Sequence, residues 1–464
     1  MTETDSPYFL IIGLGASGIS MAKFLRSRGK NVIATDIEES KINIAKELNE
    51  LGIKTQIGFH DQETFNQAGI MIPSPGIPLT NKFIKTALNK GVNITGELDI
   101  FTRYNDLPII AITGTNGKTT VTTLIGDMLK LSGINPFVGG NIGTPLVESL
   151  MAEKMDEKKA EVIVAEISSF QLDISKKFKP DVGVLLNISQ DHLDRYENYA
   201  DYTDSKWSVF KNQSFADKAV INKSIHDFDK KSQKLKSELI TFSSNNQDIT
   251  DIDNFKLCNA KITLKNIEIK TQNYSQMIPA DSLKEFPGIH NWENIAAAAL
   301  AALAAGANIH AVLKGIKTFN NLPHRIQFVK TIKGVSFYND SKATNTDAVI
   351  RAIKCFKNNI ILILGGREKG TDFSDLVNHI KQRVKTIIAM GETSQKIYDT
   401  FGKTCPVKIV KTMKNGVQTA FATALKNDIV LLSPACASFD MYESYVHRGD
   451  DFMNCVKHLE TNNE

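Results

Sequence analysis

Apolar and polar positions alternate along the chain in two rhythms. Tyr8 to Ile12 is a short apolar run, Gly13-Leu14-Gly15-Ala16-Ser17-Gly18 a glycine turn, Ile19 to Leu25 an apolar-periodic stretch, and Asn31 to Thr35 a second apolar run. Short runs bounded by glycine predict strands and helical periodicity predicts a helix, so the opening reads as a β-turn-α-β unit. Alternation continues through Gly69 to Ile72 and a helical segment near Asn81 to Asn89, and Arg103 to Leu107 reads as a polar crossover. Ile109 to Ile112 then predicts a strand, Thr119 to Leu131 a helix, and Glu161 to Ile167 and Val182 to Asn187 two more strands. Lys256 to Lys270 alternates apolar with polar residues between short turns, which predicts small antiparallel strands appended to this unit. Glu293 to Ala304 predicts a helix stopped by Gly306, and Asn320-Asn321-Leu322-Pro323 a linker. Beyond it, Gly334 to Asn339, Asn359 to Leu364, Thr386 to Met390, Val407 to Val410 and Ile429 to Leu432 predict strands between helices.

The pattern predicts a three-domain α/β protein. A Rossmann-like unit spans 1–104, a P-loop unit with the extra antiparallel strands 105–321, and a second Rossmann-like unit 322–464. A length of 464 residues agrees, at a prior of about 150 residues per domain. With 42% hydrophobic and 23% charged residues the chain reads as an ordinary globular protein. The alanine-rich stretch Ile295 to Ala305 falls short of the roughly 18 residues of a spanning helix and predicts a buried one. No basic region precedes an apolar core at the N-terminus, so a cytoplasmic location is expected. Cys258, Cys355, Cys405, Cys436 and Cys455 are scattered and lack C-x-x-C spacing, which predicts reduced thiols rather than a disulfide framework or zinc site. A net charge of +4 gives no case for nucleic acid. The Lys-rich stretch from Lys211 to Lys236 reads as a solvated surface, and the lack of an obvious assembly helix predicts a monomer.

The strongest chemical signal follows the strand at Ile109. Gly114-Thr115-Asn116-Gly117-Lys118-Thr119-Thr120 opens the predicted helix. Glycines let the backbone approach a polyphosphate, N–H groups face the anion, Lys118 adds a point charge and the Thr119 hydroxyl is suited to Mg²⁺, so ATP is the expected ligand. The loop is shorter than the usual Walker form, because Ile112 stands where the first glycine belongs. Glu166, at the end of an apolar strand, is a candidate second Mg²⁺ contact. Asn187, Asp191, His192 and Asp194 cluster after the next strand, where His192 is a candidate metal ligand. Gly13, Gly15 and Gly18 with Asp36 match a dinucleotide fingerprint, which keeps a nicotinamide dehydrogenase in view, although such a turn holds any pyrophosphate. By itself, Lys206 reads as a surface helix lysine.

Taken together, Gly114 to Thr119, Glu166-Ile167-Ser168-Ser169-Phe170-Gln171-Leu172, Asp191-His192-Leu193-Asp194-Arg195-Tyr196 and His290-Asn291-Trp292-Glu293-Asn294 closely resemble the Mur ligases, which add amino acids to the peptidoglycan precursor. Leu322-Pro323-His324-Arg325, Asn339 to Asn345, Gly365-Gly366 with Lys369, Ser433 to Asp440, and Arg448-Gly449 with Phe452 resemble the D-glutamate-adding branch.

That resemblance implies ATP-dependent activation of the carboxylate of UDP-N-acetylmuramoyl-L-alanine as an acyl phosphate, followed by attack of the D-glutamate amine. It implies two Mg²⁺ ions, one held by Thr119 and Glu166, the other by His192 and a carbamylated Lys206, with Lys118 holding phosphate charge. Beyond Gly114 to Thr120, it assigns Asn291 and Asn294 to the nucleotide, Arg325 to the phosphates and Asp340 to the ribose. Ala16, Ser17, Gly140, Asn141 and Gln171 match the UDP-sugar positions, and Lys342, Thr344, Lys369, Ser438 and Tyr445 the D-glutamate pocket. Two departures stand out: Tyr445 occupies a position where many members have Phe, and Ile37-Glu38 replaces a Thr-Arg pair found in some. The rival readings are a ligase for another amino acid or a folate tail, a nucleotide-sugar oxidoreductase, and a P-loop switch. No nucleic-acid or membrane partner is expected.

Overall fold

Three sheets succeed one another in the computed structural model, which describes residues 7–151, 159–191, 195–244, 258–283, 286–319, 322–357, 359–368 and 370–459. The first comprises β1 (Phe9–Ile12), β2 (Val32–Asp36), β3 (Lys54–Ile57), β4 (Ile70–Pro73) and β5 (Asn93–Ile94), in the order β3-β2-β1-β4-β5. All its pairings are parallel. Winding reverses between β1 and β4, and the crevice at such a reversal is where doubly wound sheets receive ligands.

The second sheet holds β6 (Ile109–Thr113), β7 (Pro136–Gly140), β8 (Val162–Glu166), β9 (Val182–Leu185), β10 (Lys218–Asn222), β11 (Glu238–Ser244), β12 (Ala260–Ile262), β13 (Asn266–Lys270) and β14 (Ser275–Pro279). Their order is β14-β13-β12-β11-β10-β9-β6-β8-β7, parallel except where β13 meets β12 and β14. The predicted small strands are therefore real and continue the main sheet. Lys256 and Leu257, at the start of that predicted segment, and Asn320 and Asn321 of the predicted linker lie outside the described residues. Strands β6, β8 and β9 are buried along their whole length, which explains why they read as unbroken apolar runs. The helix Ile289–Ala304 packs on this sheet through Asn294 to Ala302, all buried; alanine there lets the helix lie close to the helix Lys118–Leu131.

The third sheet is built from β15 (Gln327–Ile332), β16 (Val335–Asn339), β17 (Ile360–Leu364), β18 (Val384–Ala389), β19 (Val407–Ile409) and β20 (Ile429–Leu432). Its order is β15-β16-β20-β17-β18-β19, with β15 antiparallel to β16.

Two readings need correction. The Lys211 to Lys236 stretch is not merely a solvated surface, because β10 runs through it with Ala219 to Asn222 buried between β9 and β11. Strand β15 is absent from the predicted strands because it lies on an edge where one face meets water, and of its six residues, Gln327 to Ile332, only Ile332 is buried. The first and second sheets also share one core, in which Phe24, Leu98 and Phe101 join Ile109, Ile163 and Leu172. Beside that core the helix Ala16–Ser27, which follows the glycine turn, packs on the short helical turn Leu146–Leu150, where the Ser20 hydroxyl donates to Glu148 Oε1.

Candidate active site

Strand β6 ends at Thr113 and the chain turns through Gly114, at φ 150°, and Gly117, at φ 89°, before the helix begins at Lys118. Gly117 also leaves no room for a side chain, since a Cβ would fall 2.3 Å from Asn294 Oδ1. Asn187 holds the loop on both sides: Oδ1 accepts from the Asn116 N–H at 2.9 Å and Nδ2 donates to the Asn116 carbonyl at 2.9 Å. Lys118 Nζ donates to the Gly114 and Thr115 carbonyls, each at 2.8 Å. Burial lowers its pKa, against the attraction of Glu166 and Asp191.

The loop opens on a cleft of about 540 Å³ between the second and third sheets. On one wall, Glu166 Oε1 accepts from Asn141 Nδ2 at 3.0 Å, while Oε2 is buried with no hydrogen-bond partner. On the other, Arg325 Nη2 and Lys342 Nζ both donate to the Thr119 hydroxyl at 3.1 Å. Arg325 Nε is likewise buried without a partner. A buried carboxylate oxygen left open fits a cation, and an open guanidinium N–H fits an anion. Burial, followed by Arg325, holds Lys342 down to about 7. Thr344, Ser438 and Tyr445 line the same cleft.

Lys206, in the helix Tyr199–Trp207, is not at the surface: it is 2% exposed, and Nζ donates to the Gly114 carbonyl at 2.9 Å. Burial, reinforced by Lys118, pushes its pKa well below that of a free lysine. The surface-helix reading of Lys206 by itself is therefore overturned; the helix turns this face inward against the P-loop, with the ammonium position 4.6 Å from the Tyr202 ring centre.

A narrow slot continues from the cleft, lined by Asn116, Gly117, Asn291, Asn294, Arg325 and Asp340. Asp340 accepts from the Ile326 N–H at 3.2 Å and the Ser433 hydroxyl at 2.9 Å, and burial raises it to about 7. His290 lines the slot as a neutral imidazole, since burial and then Arg351 lower it to about 3.

At the first sheet, Ser17 and Gln171 border one small cavity with Ser74 and Glu97, and Ala16 opens the helix Ala16–Ser27 beside it. Gly140 is tightly confined, because a Cβ there would lie 2.4 Å from the Glu166 carbonyl oxygen. The fingerprint acid Asp36 is already occupied: Oδ2 accepts from the Leu14 N–H at 2.6 Å and Oδ1 from the Glu38 N–H at 2.9 Å. It braces the glycine turn, which removes the main argument for a dehydrogenase.

Residues 8–96, 112–302 and 324–436 match, in turn, the Mur ligase MurD-like N-terminal domain, the Mur ligase middle domain and the Mur ligase glutamate ligase domain. The UDP-N-acetylmuramoylalanine–D-glutamate ligase of Desulfosudis oleivorans is 41% identical over 98% of this chain and 97% of its own. The chain belongs to the Mur ligase family.

Solved Mur ligases share the fold. UDP-N-acetylmuramate-alanine ligase MurC of Thermotoga maritima, 18% identical, aligns over 99% of this chain and 100% of its own with a TM-score of 0.60. MurF ligase of the same organism, in complex with ADP, is 15% identical and aligns over 100% of both chains at 0.58. Among the expected Mur ligase site residues, His192 and Lys369 lie outside the described residues, as does the neighbouring Asp194. One structural contributor enters the sequence reading only as part of a motif. Arg448 is 2% exposed, and its guanidinium donates to the Ser341 hydroxyl and carbonyl at 3.0 and 2.8 Å and to the Ala437 carbonyl at 3.3 Å. It ties the residue before Lys342 to the residue before Ser438. The sequence carries a signal for it: Arg448 shares a helical face with Phe452 and Val456, where a charge has no reason to sit unless it is partnered.

Proposed function

We propose that this chain is an ATP-dependent ligase joining D-glutamate to UDP-N-acetylmuramoyl-L-alanine through an acyl phosphate, the reaction its relatives are named for. The observation that carries the reading is the convergence of Arg325 and Lys342, from the third sheet's side, on Thr119 of the P-loop opposite Glu166.

A carboxylate is a poor acyl donor because oxide is a poor leaving group. Transfer of the γ-phosphoryl group of ATP to the carboxylate oxygen converts that oxygen into part of a phosphate, which departs with the electron pair when the amine attacks. Lys118, Arg325 and Lys342 stabilise the phosphate charge. Gly114 to Thr120 would hold the triphosphate, Asn291 and Asn294 the base end, Arg325 the phosphates and Asp340 the ribose.

The open Glu166 oxygen supports one Mg²⁺ ion, and the second ion rests on the family resemblance, since His192 lies outside the described residues. Thr119 and Glu166 would hold one through the open Glu166 oxygen, and His192 with a carbamylated Lys206 the other. When bound, Mg²⁺ supplies charge neutralisation and Lewis acidity to the phosphoryl oxygens. Lys206 suits carbamylation because its buried amine favours the neutral form, which reacts with CO₂. Ala16, Ser17, Gly140, Asn141 and Gln171 would receive the UDP-sugar. Lys342, Thr344, Lys369, Ser438 and Tyr445 would receive D-glutamate, whose two carboxylates need cationic and hydroxyl partners while its amine stays neutral.

In this reading the substrate-binding units divide at 1–104, 105–321 and 322–464, and the enzyme works as a cytoplasmic monomer. Among the described residues no helix is long and apolar enough to cross a membrane. The test is phosphate release: it should require both UDP-N-acetylmuramoyl-L-alanine and D-glutamate, and release from ATP alone would sink the assignment.

A further inference from the structure

The helix Thr346–Lys354 is anchored in the third sheet's domain, yet its first turn meets the P-loop. Asp347 Oδ2 accepts three hydrogen bonds: from Asn116 Nδ2 at 2.7 Å, from the Ser189 hydroxyl at 3.0 Å and from Arg351 Nε at 2.8 Å. Asn116 belongs to the loop after β6 and Ser189 to the loop after β9, so one carboxylate oxygen joins both phosphate-side loops to the opposite domain. A second crossing lies beside it, where Asn345 Nδ2 donates to Asp191 Oδ2 at 2.9 Å. Arg351 continues into the nucleotide slot next to His290, with Nη1 4.0 Å from Glu293 Oε2.

An acid in the first turn of a helix has an ordinary explanation, since it favours the positive end of the helix dipole. That accounts for neither the Asn116 nor the Ser189 bond, both of which leave the helix and the domain. Asn116 is also the residue whose own N–H and carbonyl are clamped by Asn187. Its backbone is fixed from within the second sheet and its side chain from across the cleft.

We propose that Asp347 and Arg351 are a positioning pair that sets the P-loop when the domains dock, with Asp347 orienting Asn116 and Arg351 closing the base end of the purine-nucleotide slot. The inference rests on the assignment of ATP to that slot. Docking places a charge-assisted acceptor on the loop that grips the phosphates, and nucleotide held between the loop and the slot stabilises docking in return.

The test is a double-mutant cycle on the full chain, read as KM for ATP and as kcat. Asp347→Ala and Asn116→Ala should each raise KM for ATP about tenfold, the worth of one hydrogen bond to a charged group. The double variant should be no worse than Asp347→Ala alone, because that substitution already removes the Asn116 bond together with the Ser189 and Arg351 bonds. Asp347→Asn keeps an acceptor of the same shape for Asn116 and Arg351 but removes its charge, and should fall between wild type and Asp347→Ala; it also serves if Asp347→Ala fails to fold. Tm of Asp347→Asn should stay near that of the wild type. Effects that multiply independently, or a KM for ATP unchanged in both Asp347 variants, would overturn the pairing. Asn291→Ala, inside the slot, separates the two levels: if it too leaves KM for ATP unmoved, the nucleotide assignment is what fails.

Discussion

The guanidinium of Arg325 donates to the Thr119 hydroxyl across 3.1 Å, joining residues 206 positions apart in the chain. The bond puts a fixed positive charge from one domain on the glycine-rich loop of another, with Nε buried and without a hydrogen-bond partner. Arg325→Ala should therefore lower kcat by about 10² to 10³, the usual loss for one preorganised charge-stabilising donor. Steady-state kinetics checks this; an effect confined to KM would mean that Arg325 binds ground state and transition state alike.

Glu166 presents one carboxylate oxygen to Asn141 and leaves the other buried and open. Glu166→Gln preserves shape and the Asn141 contact but removes the charge that a divalent ion needs. Titration of activity with Mg²⁺ should shift to at least about tenfold higher concentration in the variant, in the range set by loss of a charged ligand. An unshifted titration with lower kcat would assign Glu166 to something other than the metal.

Lys342 is held to about 7 by burial and by Arg325. Below that pH it carries a positive charge, which in the proposed site would attract phosphate as well as a D-glutamate carboxylate; above it the amine is neutral and the attraction fades. Equilibrium ATP affinity should fall between about pH 7 and pH 9 in the wild-type enzyme, and Lys342→Arg, which stays charged throughout, should flatten the profile. Parallel profiles for the two proteins would show that Lys342 keeps its proton in the cleft.

Lys206→Ala should abolish most activity, and short carboxylic acids, which restore an anion where the carbamate would sit, should recover part of it. Activity assays with added acetate or formate check this. Full activity in Lys206→Ala, or loss without rescue, contradicts the carbamate.

The P-loop and the apolar strands are legible in the sequence because both are local. Gly114 and Gly117 are required by backbone geometry, and β6, β8 and β9 are buried on both faces. The burial of Lys206 is illegible from the residues around it, since nothing nearby separates a solvated helix face from one turned toward another loop. Resemblance to a family supplies that reading, and the bond to the Gly114 carbonyl supplies its physical cause. Asp36 misleads for the opposite reason: the spacing fits a ribose contact, but the carboxylate is taken up by the Leu14 and Glu38 N–H groups. The roles of Asp347 and Arg448 are hidden because their partners, Asn116, Ser189 and Ala437, are distant in the chain or belong to another element.

The most direct test of the central claim is an amino-acid panel with UDP-N-acetylmuramoyl-L-alanine and ATP, scored by product mass. D-glutamate should be the amino acid incorporated, with one phosphate released per amide formed. Preferential incorporation of L-glutamate, L-alanine or a diamino acid would contradict the account.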